Sequence, residues 1–351
     1  MCGTVVRCLA CTVLLLTIIP NSHAQYYNLT DLGTLPGDTD SLAWGMNSSA
    51  MVVGASEGAG SGGIHGFFWS TTGGMLDLGC GQSFAGAIND TSHVVGSCGP
   101  ASDTETAFIW TQDTGLQNLG ALPNGTFSGA NAINNANQVV GTSNYGTDPS
   151  DLHAFLWTAN TGMTDLGTLP GGTFSLGNGI NMAGQVVGYS GYDSASGYHA
   201  FVWTASSGMV DLGTLSKGVY SDAAAINDYG IIVGDSDSGS SKGNLRAVYW
   251  KKGNIHNLGL LNGANYSFAA AINDLGDIVG ESGPKHKDAS HAVIWKNGTI
   301  HDLNNKVCGT TGFILTSARA INVSGQIAGY GMINGNMHAF LATPTQTCPK
   351  D

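Results

Sequence analysis

The chain has 351 residues, a formal net charge of -12, 53 glycines and only 10% charged residues, where ~25% is typical. Its 12 Lys and Arg among 24 Asp and Glu cannot furnish the basic face that nucleic acid requires. Hydrophobic residues at 42% exclude disorder. The glycines lack a collagen period, and no sustained i, i+3, i+4, i+7 pattern supports a helical bundle.

Residues 1–24 have the form of a secretory leader. Arg7 precedes an apolar stretch from Leu9 to Ile19, and Ser22-His23-Ala24 supplies a small-x-small cleavage site before Gln25. A run of about 11 residues is too short to span ~30 Å of hydrocarbon, so membrane insertion is not expected. The mature chain, 25–351, is then a single secreted or periplasmic domain. Cys80, Cys98, Cys308 and Cys348 remain in it. An even number in an exported chain indicates two disulfides. Of the three possible pairings, sequence proximity and the repeat favour Cys80–Cys98 and Cys308–Cys348. No CxxC pair is present to start a zinc site.

One unit recurs along the mature chain. Its closing peptide reads HGFFW at His65, TAFIW at Thr106, HAFLW at His153, HAFVW at His199, RAVYW at Arg246, HAVIW at His291 and HAFLA at His338, 41 to 47 residues apart. A middle element recurs as MVVG, HVVG, QVVG, QVVG, IIVG, DIVG and QIAG, preceded by Ile-Asn or Met-Asn. Each unit resolves into four short strands rich in Val, Ile, Phe or Trp: A (S-x-A-x-A-I-N), B (QVVGYS), C (HAFLWT) and D (GMTDLGTL). The A–B connection is Asn-Asp-x-Gly, a tight turn built from residues that tolerate positive φ. A four-stranded antiparallel sheet repeating at this period is a propeller blade. The expected fold is all-β, a seven-bladed β-propeller. The N-terminal Tyr26–Gly33 reads as a lone D strand, and the C-terminal unit ends on its C strand at His338–Ala342. The two fragments complete one blade and close the ring, with a Cys308–Cys348 bridge beside the closure.

The His-Ala-Phe triplets at His153, His199 and His338, the DLGTL runs at Asp31, Asp165 and Asp211, and the paired IN-D-x-G and VVG elements resemble the family of extracellular proteins named for the HAF repeat. The resemblance covers the whole mature chain. It implies export and repetition and no particular activity. Thr106, Arg246 and Asp302-Leu-Asn-Asn depart from the pattern.

In such blades the D–A and B–C connections emerge on one face. The B–C connections vary in this sequence, and variable loops on a rigid scaffold are where binding usually sits. Comparison of the units separates scaffold from specialisation. Strand A opens with Ser or Thr, followed two and four residues later by Ala or Gly, and between these small residues stand Trp44, Gly86, Asn131, Asn178, Ala224, Ala270 and Arg319. Alternation gives these seven one orientation near the axis. Trp44, Asn131, Asn178 and Arg319, with Tyr220 and Tyr266 from the position before the Ser, form the expected ligand-binding patch. Trp and Tyr stack on sugar or apolar faces, and Asn and Arg give directional hydrogen bonds.

The repeated His of strand C is expected to make a structural hydrogen bond to a neighbouring strand, not to hold a metal. Asp235–Arg246 and Glu281–His291 are expected cross-strand pairs. Gly54-Ala-Ser56-Glu-Gly58 matches a nucleophile elbow without the helix that motif requires, and Gly-x-Ser recurs as scaffold. Gly58-x-Gly60-x-x-Gly63 lacks the helix of a dinucleotide site. Asp235-Ser-Asp237-Ser-Gly239 resembles part of a calcium loop but lacks its downstream Glu, so no cofactor is expected, with calcium as the alternative. The expected function is a monomeric, non-catalytic binding module for a glycan, a peptide or a cell-surface partner. The alternative is a propeller enzyme acting on glycans, a hydrolase or lyase, with Asp38, Asp40 and Asp222 as its candidate carboxylates.

Overall fold

The computed structural model describes residues 26–58, 63–100, 104–146, 148, 150–191, 197–239, 245–284, 290–309 and 312–348. The expected leader and the middles of most variable B–C connections (59–62, 101–103, 192–196, 240–244 and 285–289) lie outside the described residues.

After β1 (Tyr26–Asp31), the chain forms blade 1 from β2 (Asp40–Met46), β3 (Val52–Gly58), β4 (Gly63–Ser70) and β5 (Gly74–Asp77), the A, B, C and D strands in spatial order. The same order recurs in blades 2 to 6 at 82–120, 128–165, 174–211, 221–257 and 266–302. Blade 7 takes three strands from the C-terminus, ending in β28 (Asn336–Thr345), and its fourth from the N-terminus. β1 runs antiparallel to β28, with Leu29 opposite Ala342 and Asp31 opposite Phe340. The seven-bladed ring and its closure are as the repeat predicts.

The invariant residues explain the ring. At each A–B turn the buried Asn accepts local backbone N–H groups through Oδ1 and donates through Nδ2 to the equivalent Asn carbonyl of the next blade. Asn181 Oδ1 accepts from Gln185 N at 3.0 Å, and Asn181 Nδ2 donates to Asn227 O at 3.1 Å. The donations run Asn47, Asn89, Asn134, Asn181, Asn227, Asn273, Asn322 and return to Asn47, a closed circle of seven. Strand-A serines join blades in the same way. Ser175 Oγ accepts from Ala154 N of the preceding blade at 2.9 Å and donates to Gly167 O, just past that blade's last strand, at 2.5 Å.

The Gly-x-Ser element is also scaffold. Ser190 Oγ accepts from Leu169 N at 2.9 Å, and Ser143, Ser236 and Ser282 make the equivalent bond. In blade 2 this position is Cys98, whose disulfide to Cys80 replaces the hydrogen bond. The second bridge, Cys308–Cys348, joins segments on either side of β1. Tyr27 donates to Lys306 O at 2.8 Å and accepts from Cys308 N at 2.9 Å, while its strand pairs with β28 on the other edge. Among the described residues no helix is long and apolar enough to cross a membrane.

Candidate functional site

Strand A lies at the inner edge of every blade, and successive A strands pack around the axis. Each carries a β-bulge between its two small residues. The unpaired residue is Trp44, Gly86, Asn131, Asn178, Ala224, Ala270 or Arg319. A bulge re-aims the side chain it carries, and all seven line one axial cavity of ≈ 450 Å³. The position that varies between units is therefore the one the scaffold presents to the cavity. A second cavity, ≈ 230 Å³, opens at the A–B turns on the opposite face.

The bulge also explains the glycine of VVG. It brings a strand-A carbonyl over strand B, so that a Cβ on Gly234 would lie 1.9 Å from Asp222 O, and one on Gly188 would lie 1.8 Å from Leu176 O. Beyond that glycine, strands A and B pair Asp222 with Asp235, Phe268 with Glu281 and Ser317 with Tyr330.

Arg319 forms the cationic side of the cavity. Its guanidinium lies 5.3 Å from the Trp44 ring centroid, 5.7 Å from that of Phe268 and 5.4 Å from that of Tyr330, within cation–π range. Nη2 donates to the Tyr330 hydroxyl at 2.8 Å and lies 3.8 Å from Glu281 Oε2. Its Nε is buried without a partner among the described residues. Asn131 Nδ2 donates to Gly177 O at 2.9 Å, and Asn178 Nδ2 to Asp222 Oδ1 at 2.8 Å, so both amides brace the next blade at the cavity wall.

Four of the six expected ligand-binding residues thus converge. Tyr220 and Tyr266 do not line this cavity. Tyr220 packs edge-on against Tyr198, with centroids 5.0 Å apart, and Tyr198 lies 4.8 Å from Tyr189. The Tyr266 hydroxyl bonds Ser290 Oγ and Glu281 Oε1. Sequence reasoning missed Phe84 and Phe268 in the lining. Both follow the strand-A Ser, and that offset was the signal available for them.

It also missed the environment of Asp222. This residue lines the cavity directly opposite buried Asp235. Burial pushes the Asp222 carboxyl up to about 7, against the Asn178 bond that favours its ionised form. Burial, then the charges of Asp222 and Asp237, push Asp235 well above the usual carboxylate range. Burial and the Asp222 charge push Tyr189 up to about 12, and burial with both carboxylates raises Tyr198 as well.

Two expected ion pairs are absent. Arg246 stands opposite Ser236, and Asp235 opposite Ala247. The one-residue offset turns the two side chains to opposite faces, and Arg246 Nη1 donates to Leu245 O at 2.9 Å and Asn265 O at 2.8 Å. His291 likewise stands opposite Ser282, and its Nδ1 meets Asp302 Oδ2 at 2.6 Å, not Glu281. That contact is the structural bond expected of the repeated His. His65, His153, His199 and His338 reach Asp77, Asp165, Asp211 and Asp31 in the same way. Two of the carboxylates considered for catalysis serve the scaffold. Asp38 Oδ2 accepts from Ser56 Oγ at 2.8 Å, and Asp40 Oδ1 accepts from Met337 N at 2.8 Å. The calcium-like fragment begins in an extended strand, Ile232–Asp237, where Ser236 bonds Leu215 N and Asp237 Oδ1 accepts from Val219 N and Tyr220 N.

No protein-family model matches the chain, and no curated protein matches it. Solved structures do. The β-propeller domain of the trilobed protease from Pyrococcus furiosus aligns at TM-score 0.56 and 7% identity, covering 93% of this chain and 97% of that one. A streptogramin B lyase aligns at 0.54 and 9%, covering 91% and 98%. An oligogalacturonate lyase in complex with manganese aligns at 0.54 and 12%, covering 91% and 93%. At such identities the likeness establishes the propeller fold alone.

Proposed function

We propose that this protein is a secreted, non-catalytic binding module of the HAF-repeat type, and that its axial cavity holds a small saccharide. The observation that carries this proposal is the convergence of Trp44, Phe84 and Phe268 with Arg319, Asn131 and Asn178 on one cavity of ≈ 450 Å³, a volume ordinary for a small-molecule site. Aromatic faces cover the apolar faces of a sugar ring, while guanidinium and amide groups read its hydroxyls. The leader-like 1–24 and the two disulfides support export. A glycan array probed with the mature protein tests the proposal. Binding that Trp44→Ala and Arg319→Ala each abolish in folded protein supports it. Binding that both substitutions leave intact removes the cavity from the proposal.

A second reading, a glycan-cleaving propeller enzyme, draws on one observation: Asp222, at the cavity wall, stands opposite buried Asp235. Incubation with oligosaccharides and assay for new reducing ends or unsaturated products decides it. Turnover lost in Asp222→Asn would favour the enzyme, and intact oligosaccharides would exclude it for the substrates used.

A further inference from the structure

The axial cavity is chemically lopsided. On the blade 7 side, the positive charge of Arg319 is matched by Glu281 and covered by three aromatic rings. On the blade 5 side, Asp222 and Asp235 stand opposite each other, and no described Lys, Arg or His forms an ion pair with either. Asp235 is 5% exposed and Asp237, two residues on, is 1% exposed. Asp237 Oδ2 is buried without a partner among the described residues, so this corner holds more carboxyl oxygens than the scaffold uses. Tyr189, Tyr198 and Tyr220 flank the carboxyls, with neighbouring centroids 4.8 and 5.0 Å apart. Two like groups forced together without a counter-ion cannot both ionise cheaply. A cation would relieve them, and aromatic rings beside carboxylates suit an organic ammonium.

We propose that Asp222 and Asp235 form a subsite for the protonated primary amine of the cavity's ligand, which makes that ligand an amino sugar. This rests on the saccharide reading of the cavity. Asp222 supplies the contact at the wall, and Asp235 stands behind it. Among the described residues, the titratable groups that face the pair are the three tyrosines and Asp237. The tyrosines Tyr189 and Tyr198 titrate far above neutrality and do not compete. The net charge of -12 draws a cation inward.

Isothermal titration of the mature protein with propylammonium, glucosamine, N-acetylglucosamine, glucose and calcium chloride tests the subsite. Glucosamine should bind about ten-fold tighter than glucose or N-acetylglucosamine. Propylammonium, which stays charged near neutrality, should bind more tightly as the pH rises through about 7 and Asp222 ionises, while neutral sugars show no such rise. Asp222→Asn should flatten that pH profile. Equal affinities for glucosamine and glucose overturn the subsite and leave the saccharide reading standing. Propylammonium binding with no sugar binding supports the subsite and overturns the saccharide reading. A response to calcium with none to either amine, or no response to any probe, overturns the subsite.

Discussion

His338 Nδ1 lies 2.9 Å from Asp31 Oδ1, across a sequence separation of 307. The contact joins β28 to β1 where the ring closes. Four other blades make it internally, from His65, His153, His199 and His291. Blades 2 and 5, which lack the His, show what the Asp otherwise does. There the partner position is Asn118 or Asn257, and Oδ1 of each still accepts from the glycine N–H two residues on, at 2.7 Å. Asp31 makes that same bond to Gly33 N at 2.9 Å. The carboxylate therefore has two tasks, and Asn suffices for one of them.

Asp31→Asn and Asp31→Ala separate those tasks. Asn keeps the turn bond and loses only the carboxylate's partly exposed contact with His338, so it should cost less than about 1 kcal/mol. Ala loses both and should cost about 1–2 kcal/mol. Urea denaturation measures the difference. Equal costs would show that the turn bond contributes nothing to closure.

The same contact sets a pH dependence in blade 3. The hydrogen bond that His153 donates to Asp165 raises His153 above its usual value, against burial that lowers it. Burial works to raise Asp165, but the bonds from His153 and Gly167 N outweigh it and hold Asp165 below its usual value. A raised His contributes stability below its unfolded pKa and loses it as pH rises through the folded one. A lowered Asp contributes above its unfolded pKa and loses it as pH falls through the folded one. The stability difference between wild type and His153→Asn should thus peak between about pH 4 and about pH 6.5 and shrink on both sides. Chemical denaturation across pH 3–9 checks this; a difference that grows above pH 8 would contradict it.

Most of the ring was legible because each unit samples the same physics independently. Seven copies of Ile-Asn or Met-Asn and of the VVG-type element expose the constraint, and the bulge explains why residues such as Trp44 and Arg319 vary within it. The Asn circle was not legible. Asn181 reads locally as a turn residue, and its bond to Asn227 O spans two blades. Register was a second failure. The expected Asp235–Arg246 pair sets strand B one residue out against strand C, where Asp235 in fact stands opposite Ala247. Pairing of short strands depends on turn length, and here the B–C connection is long.

The Asn circle makes a sharp prediction. Asn181→Asp preserves the oxygen that accepts Gln185 N but replaces the donor facing Asn227 O with a second acceptor. Two acceptors then meet in a buried site, at a cost of about 2–4 kcal/mol while the carboxylate is ionised. Lowering the pH should restore part of that loss, because a protonated carboxyl can donate again. Asn181→Ala should be destabilised without the acid recovery. Thermal melts of the two variants at pH 4 and pH 7 distinguish them, and parallel behaviour would remove the inter-blade donation as the cause.

Ring closure depends on β1 being held from both edges. β28 pairs with one edge, and 306–308 bonds the other through Tyr27. Cys308–Cys348 ties those flanking segments together across a separation of 40. A bridge closing a loop of that size stabilises by about 4 kcal/mol if chain entropy dominates. Cys308→Ser with Cys348→Ser should lower the unfolding free energy by a comparable amount. It should also release the amides of Tyr26–Asp31 to hydrogen exchange before those of blades 3 and 4. The Cys80–Cys98 bridge lies inside blade 2 and holds no chain end. Removing it should lower overall stability without singling out β1. If the two double variants exchange β1 amides alike, the C-terminal bridge is not the clamp.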